Sequence, residues 1–337
     1  MGDMRLLVTG GCGFIGSNFI RYMLSKYPYA IINLDKLTYA GNLENLRDIE
    51  SDPRYTFVKG DIASKEDLRE VFDLGIDSVV NFAAESHVDR SILDPDAFIQ
   101  TNISGAFNLL EEARKRGVQR FIQISTDEVY GSLGKEGKFT EDTPLAPNSP
   151  YSASKTAADM LAMAYFKTYG TPVLITRCSN NYGPYQFPEK LIPLIITNAL
   201  EDKVLPVYGD GMNVRDWIHV IDHAIAIDTV LHKGEIGNVY NIGGENERAN
   251  IEIVKVILAI LGKPESLIQY VTDRPGHDRR YAIDSTKIKK DLAYATTTDF
   301  TKGLENTVKW YLDNRDWWER IKSGEYLEYY DRMYKNR

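Results

Sequence analysis

The feature that most limits what this chain can fold into is a glycine cluster wedged between a short apolar run and an amphipathic one. Arg5–Thr9 reads as a buried strand and Phe14–Ser25 as a helix, with Gly10-Gly11-Cys12-Gly13-Phe14-Ile15-Gly16 spanning their junction. Glycines at 10, 13 and 16 permit a tight turn, a close approach of backbone to a bound group, and close packing of helix on strand. The helix start offers unpaired N–H groups and the positive end of its dipole, which suits phosphate. By itself such a triplet is as readily a plain turn, and its spacing is one residue wider than the commonest dinucleotide fingerprint. Its surroundings decide the matter.

Those surroundings alternate strand and helix. Ile31–Leu34, Tyr55–Lys59, Ser78–Phe82, Phe121–Ser125 and Val173–Arg177 read as buried strands, with helical stretches near Lys65–Phe72, Ala97–Arg116 and Tyr151–Tyr169. Continuously apolar strands separated by helices predict an α/β fold, a Rossmann-like doubly wound parallel sheet. After about Tyr182 the pattern loosens, and Gly183-Pro184, Gly209-Asp210-Gly211 and Arg274-Pro275-Gly276 punctuate shorter elements. Asn238–Ile242 reads as one more strand, able to rejoin the sheet. The chain of 337 residues accommodates a cofactor-binding domain over 1–182, with 214–245 rejoining it, and a smaller, interleaved C-terminal substrate-binding domain over 183–337.

Composition excludes several function classes. A net charge of -8 gives no general attraction to nucleic acid or anionic membrane, so an anionic substrate would need locally placed Arg and Lys. No apolar run is long enough to span a bilayer. Two cysteines, Cys12 and Cys178, can build neither a disulfide framework nor a zinc site, and no metal is expected. No signal-peptide run follows Met1–Arg5, and Leu6 stands where a myristoylation signal on Gly2 needs Ser or Thr. The expectation is a cytoplasmic protein. The late aromatics Trp310, Tyr311, Trp317, Trp318, Tyr326, Tyr329 and Tyr330 have helical spacing and read as a tail packed on the body.

Asp35 ends the second strand, about 20 residues after the last glycine, where a carboxylate can accept hydrogen bonds from ribose hydroxyls. A 2′-phosphate would meet like charge there, so NAD is favoured over NADP, slightly less so for the neighbouring Lys36. Asp61-Ile62 after the third strand is placed for the adenine edge. Phe82-Ala83-Ala84 after the fourth offers small side chains where the cofactor must pass close.

Tyr151 and Lys155 stand four apart on one helical face. A free tyrosine, with pKa about 10, is a poor base at neutral pH. A nearby ammonium and a positive nicotinamide ring would favour its phenolate, which could then accept a hydroxyl proton. Ser125-Thr126-Asp127-Glu128 closes the fifth strand, at the carboxyl edge where open α/β sheets place ligands. Neighbouring carboxyls in a partly dry site hold one charged and one neutral member. Ser125 and Thr126 can donate to a forming ketone, and Ser86 can touch the same substrate. His87 reads as structural or orienting, since Tyr151 and Glu128 already fill the basic roles.

With these residues assembled, the chain resembles the extended short-chain dehydrogenase/reductase family over almost its whole length. Thr126-Asp127-Glu128 is similar to the dTDP-glucose 4,6-dehydratases within it, whereas sugar epimerases usually lack both acids there. Asp35–Asn42, Ala84–Ser91 and Ser179–Pro184 match as well. The resemblance implies oxidation at carbon 4 of a nucleotide-activated hexose, then loss of water across carbons 5 and 6. Glu128 would act as base at carbon 5, and protonated Asp127 as acid at the leaving oxygen. Hydride returns to carbon 6, so NAD ends as it began. The resemblance also implies cofactor contacts at Phe14, Ile15, Lys36, Leu37, Thr38, Ser86, Thr101 and Asn181. It places Asn180, Lys190 and Leu191 near the sugar and diphosphate, and Pro206, Val207 and Tyr208 around the base. Arg215 and Asn250 would contact the nucleotide, with Asp273-Arg274-Pro275-Gly276-His277 closing over it. Arginine suits a diphosphate because its planar fork gives two parallel hydrogen bonds.

A homodimer is implied, built as a four-helix bundle from Ala97–Arg116 and Tyr151–Tyr169. Two other readings are a 4-epimerase or dehydratase for another nucleotide sugar, and an NAD-sensing protein without turnover. The acid pair speaks against an epimerase, Asp35–Asn42 against a different nucleotide sugar, and the intact Tyr151, Lys155 and acids against a silent sensor.

Overall fold

A computed structural model describes residues 4–323. Seven strands form one parallel sheet: β1 Arg5–Thr9, β2 Ala30–Asp35, β3 Tyr55–Lys59, β4 Ser78–Asn81, β5 Arg120–Thr126, β6 Val173–Cys178 and β7 Val239–Ile242. Their order is β7-β6-β5-β4-β1-β2-β3. Side chains alternate along each strand, so Leu6 and Val8 join the core on one face with Phe19, Ile20, Met23 and Ile227, while Leu7 joins Val79, Leu109, Phe121 and Ala162 on the other. Both faces are covered, which is why the strands read as unbroken apolar runs. Strand order reverses between β1 and β4, and a crevice opens there at the carboxyl ends.

The helices Phe14–Lys26, Lys65–Phe72 and Pro150–Tyr169 lie where the sequence places them. The last is well defined at both ends: Ser149 and Ser152 form a reciprocal cap with Pro150 in the first turn, and Gly170 ends it in the left-handed region. The run read as one helix over Ala97–Arg116 is instead three pieces. A turn of α-helix at Asp96–Phe98 widens into a π-helix over Ile99–Gly105 before Ala106–Arg116 resumes. Close packing favours the distortion. A Cβ on Gly105 would stand 2.7 Å from the Ile62 side chain. Asn102 turns inward, accepting from Glu85 N at 2.9 Å and donating to Ser154 Oγ at 2.8 Å. Hydrophobic spacing carries no trace of such a bulge.

Of segment 214–245, helix Val220–Lys233 packs on helix Phe14–Lys26 and β7 pairs with β6, whereas Val214–His219 pairs with Asn180–Tyr182 and Glu247–Ala249 in a separate three-stranded sheet. A pair of strands, Leu205–Tyr208 and Ile268–Val271, completes the smaller part. Its core gathers Ile195, Val207, Trp217 and Leu258 with the late aromatics Tyr311, Trp317 and Trp318, and Trp310 packs against it. Tyr326, Tyr329 and Tyr330 lie outside the described residues. Trp317 Nε1 reaches back to Asn45 Oδ1 at 2.9 Å, and Asn45 Nδ2 in turn donates to the Cys12 carbonyl in the glycine loop at 2.8 Å.

At the far end of the first helix, the buried Asp228 carboxylate accepts from Lys26 Nζ at 2.6 Å and Tyr22 OH at 3.0 Å, and meets His232 Nδ1 at 2.8 Å. The Asp228 contact raises His232 above its ordinary value, against an opposing effect of burial. A raised folded-state pKa gives stability that is complete below the unfolded value, about 6.5, and lost as pH rises through the folded one. His232→Gln should therefore destabilise the protein most near about pH 5.5 and least near about pH 8. Urea unfolding across that range checks this; a difference independent of pH would mean His232 stays neutral.

Candidate active site

The crevice is floored by the glycine loop. Gly10 has φ +70° and lies so close to the next strand's exit that a Cβ would stand 2.7 Å from Ala83 N and Cα. A Cβ on Gly16 would meet the Gly10 carbonyl at 2.5 Å, so helix and loop touch through backbone. Gly13 differs: its Cβ position meets only the Gly10 carbonyl at 3.3 Å, and the residue caps the helix without any side-chain bond. Bare N–H groups thus face the cleft beside an open glycine, as a pyrophosphate requires.

Asp35 accepts from Cys12 N through one oxygen and from Leu37 N through the other, both at 2.8 Å, with Leu37 at φ +58°. Each oxygen keeps a lone pair for a ribose hydroxyl. Lys36 pairs with Asp61 at 2.7 Å. It is therefore already engaged and a poor partner for a 2′-phosphate. Phe14, Ile15, Thr38, Ile62, Phe82, Ala83, Ala84, Ser86, Thr101 and Asn181 line the same cleft, with Gly10, Gly13, Gly16, Asp35, Lys36 and Asp61. Leu37 does not; its contribution is the backbone bond to Asp35. The donor set and the open cradle fit NAD.

The same cleft brings Thr126, Asp127, Glu128, Tyr151 and Lys155 together. Strand β5 ends at Thr126, whose hydroxyl accepts from Glu128 N at 3.3 Å and caps a short 3-10 turn, Asp127–Tyr130. Burial pushes Asp127 well above the carboxylate range, with the Glu128 and Asp216 charges adding to it. Asp127 Oδ2 is buried without a hydrogen-bond partner among the described residues. A neutral acid satisfies that environment; a carboxylate does not. Burial also raises Glu128, but Arg274, Lys190 and Arg215 oppose it. Both acids are thus pushed up, Asp127 further, while Glu128 alone has three cations acting against its burial.

Tyr151 departs from the sequence expectation. Burial raises its phenol well above the ordinary value, and the Glu128 and Cys178 charges add to this, against a Thr126 hydrogen bond. Lys155 does not offset this; its Nζ donates instead to the Ile124 carbonyl at 2.7 Å. Burial lowers that ammonium, opposed by the Asp159 charge. The chain alone does not favour the phenolate, so further positive charge must come from whatever shares the cleft.

Asn180 and Lys190 line the cleft as well, and Lys190 Nζ donates to the Ser86 carbonyl at 2.9 Å. Leu191 opens the helix Leu191–Leu200. The remaining nucleotide-end residues form an adjoining group. Tyr208 OH and Arg274 Nη1 both reach Asp89, at 3.0 and 3.4 Å, and Asp273 holds His277 Nδ1 at 2.5 Å. Arg215 donates to the Asp278 carbonyl at 2.9 Å and lies 4.3 Å over the Tyr281 ring. Arg274 Nε and Asn250 Oδ1 are buried with no partner among the described residues. Pro206 is buried and Val207 packs into the smaller core, leaving Tyr208 as the more open residue of the three. The two groups meet at Glu128, on which Arg215, Arg274 and Lys190 all act.

The GDP-mannose 4,6 dehydratase family model matches residues 7–307. A dTDP-glucose 4,6-dehydratase of Neisseria meningitidis serogroup B is 53% identical, with 96% of this chain and 97% of that protein covered. This chain belongs to the dTDP-glucose 4,6-dehydratase family. Among solved structures, a member from Streptomyces venezuelae with NAD bound aligns at a TM-score of 0.93 and 52% identity, covering 95% of this chain and 100% of that one. A Thermus thermophilus UDP-glucose 4-epimerase in complex with NAD aligns at 0.86 and 30% identity, covering 92% and 100%. The family thus shares its fold with epimerases, and chemistry rather than architecture must separate them.

Sequence reasoning missed the supports behind the site. Arg177, at the end of β6, donates to Asp159 Oδ2 and Tyr130 OH, both at 2.9 Å, fully out of water. A charge closing an apolar strand was the available signal. Asn181 is fixed by buried His223 at 2.8 Å, for which the sequence carries no signal. Removing one member of a buried ion pair leaves the other uncompensated. Asp159→Asn should cost about 3–5 kcal/mol in urea unfolding; a loss below about 1 kcal/mol would show that Tyr130 alone satisfies Arg177.

Proposed function

We infer that this chain catalyses NAD-dependent dehydration of dTDP-glucose to dTDP-4-keto-6-deoxy-glucose, acting as a hydro-lyase. The observation that carries this reading is the pair Asp127 and Glu128, set in unlike surroundings beside Tyr151 in the cleft that contains the glycine cradle. NAD held there would supply reversible hydride chemistry and would end the cycle in the state in which it began. Gly10, Gly13 and Gly16 would hold its pyrophosphate and Asp35 its ribose.

The protein's own residues would manage protons. Tyr151 accepts the carbon-4 hydroxyl proton, with Lys155 as the chain's cation beneath it. Thr126 donates to the oxygen on carbon 4. The resulting ketone acidifies carbon 5, where Glu128 takes the proton. That electron pair forms the carbon 5–carbon 6 double bond while the carbon 6–oxygen bond breaks, and Asp127 gives its proton so that water leaves. A 4-epimerase has no use for these two acids. Lys190, Arg215 and Arg274 would bind the diphosphate, with Ser86, Asn180, Leu191 and Asn250 aligning sugar and nucleotide. Pro206, Val207 and Tyr208 would flank the base under a loop from Asp273 to His277.

In this reading residues 1–182, with helix and strand 220–242, serve the cofactor and most of 183–337 serves the nucleotide sugar. Exposed Ile99, Phe107 and Met160, on the two segments expected to form a bundle, support a homodimer. Free, buried Cys12 and Cys178 accord with a cytoplasmic setting, and no helix among the described residues is long and apolar enough to cross a membrane.

Purified protein should convert dTDP-glucose, in preference to UDP-glucose, to a 4-keto-6-deoxy product with no net cofactor reduction. Glu128→Gln should lower product formation by more than about 10²-fold and stop solvent deuterium from entering carbon 5; full dehydration by this variant would remove Glu128 from the role of base. Because Glu128 must be charged and its pKa is raised, wild-type activity should fall on the acid side at a pH above the usual carboxylate range. An acid limb at or below about pH 4 would contradict this.

A further inference from the structure

Arg90, on the short helix Val88–Leu93, serves neither the acid pair nor the diphosphate group. Its Nε donates to Glu189 Oε2 at 2.9 Å, and its guanidinium lies over the Tyr39 ring, 3.6 Å from the centroid. Phe187 meets the Tyr39 ring edge-on, with centroids 5.5 Å apart. The Glu189 side chain is 1% exposed. These residues come from three separate segments: the loop after β2, the helix after β4, and the stretch before helix Leu191–Leu200. Two of those segments wall the cofactor cleft, one through Lys36, Thr38, Ala40 and Gly41, the other through Gln186, Phe187, Glu189 and Lys190. Arg90 is thus the cation between two walls of one cleft.

We propose that Tyr39, Arg90 and Glu189 form a clasp that retains NAD between turnovers. Parting the walls to let a dinucleotide out draws Arg90 away from Tyr39, from Glu189, or from both. Either separation removes an attraction strengthened by exclusion of water, and the second takes from buried Glu189 one of the two cations acting on it. The proposal rests on the dehydratase reading, in which the cofactor returns to its starting state every cycle and need not be exchanged. Slow release then imposes no limit on turnover.

The test is the rate at which bound NAD exchanges with isotopically labelled NAD in the full-length enzyme. Arg90→Met and Tyr39→Leu should each exchange at least about 10-fold faster than wild type, while Tyr39→Phe, which keeps the ring and loses only the hydroxyl's bond to Glu189, should exchange more slowly than Tyr39→Leu. Dehydration by both loosened variants should recover to near wild type in saturating NAD. Tyr39→Leu lies on a surface loop and keeps the test available if Arg90→Met does not fold. Wild-type exchange rates in Tyr39→Leu, or an activity loss that saturating NAD does not restore, would overturn the clasp. Faster exchange in the variants of a protein that never dehydrates dTDP-glucose would instead overturn the reaction and leave the clasp standing.

Discussion

Two adjacent carboxyl groups in a partly dry site resist carrying charge together, and the arrangement of the active site follows from that restriction. Asp127 faces burial and two negative neighbours, and one of its oxygens is left without a donor. Glu128, the next residue, is turned toward Lys190, Arg215 and Arg274. The tight turn after β5 makes the difference, because it sends consecutive side chains into unlike surroundings. The same three cations are the chain's candidates for a diphosphate. Binding of an anion there would weaken their hold on Glu128 and make it a stronger base once substrate is seated.

Sheet topology delivers these groups to one place. Strand order reverses between β1 and β4, and the crevice so formed receives the glycine loop from one strand and Ala83–Ser86 from the other. Contact between Gly10 and the Ala83 backbone leaves no room for a side chain at that crossing. The second part of the chain adds its own sheet and core beside the crevice and supplies the arginines. An acidic protein can thereby present a local cationic surface to an anionic ligand.

Much of this was legible in the residues. The inner strands of the main sheet were visible because burial on both faces leaves uninterrupted apolar runs, and the glycine loop because its spacing answers backbone contact rather than composition; the edge strand Tyr55–Lys59, half-buried at most, was read from its alternation with helices. Thr126, Asp127, Glu128, Tyr151 and Lys155 could be read because reactive groups must stand at strand ends and helix starts. The π-helix at Ile99–Gly105 could not, since its cause is Ile62, distant in sequence. Nor could the direction of the Tyr151 shift, which follows from its burial and from the Glu128 and Cys178 charges packed around it. Asp159, Arg177 and His223 escaped for the same reason: their partners are set by packing.

The bond from Trp317 to Asn45 has a bearing on how the protein is made. Asn45 supports the Cys12 carbonyl at the centre of the glycine loop, and Trp317 supports Asn45. The two partners of that bond lie 272 residues apart, so the loop emerges from the ribosome long before its brace. A nascent chain can assemble β1–β6 of its sheet before Trp317 is made, so the brace is missing long after the loop has formed. Truncation ahead of Trp317 would therefore be felt at the glycine loop, and a ribosome stalled before that residue would carry a Rossmann portion whose nucleotide loop is still unsupported.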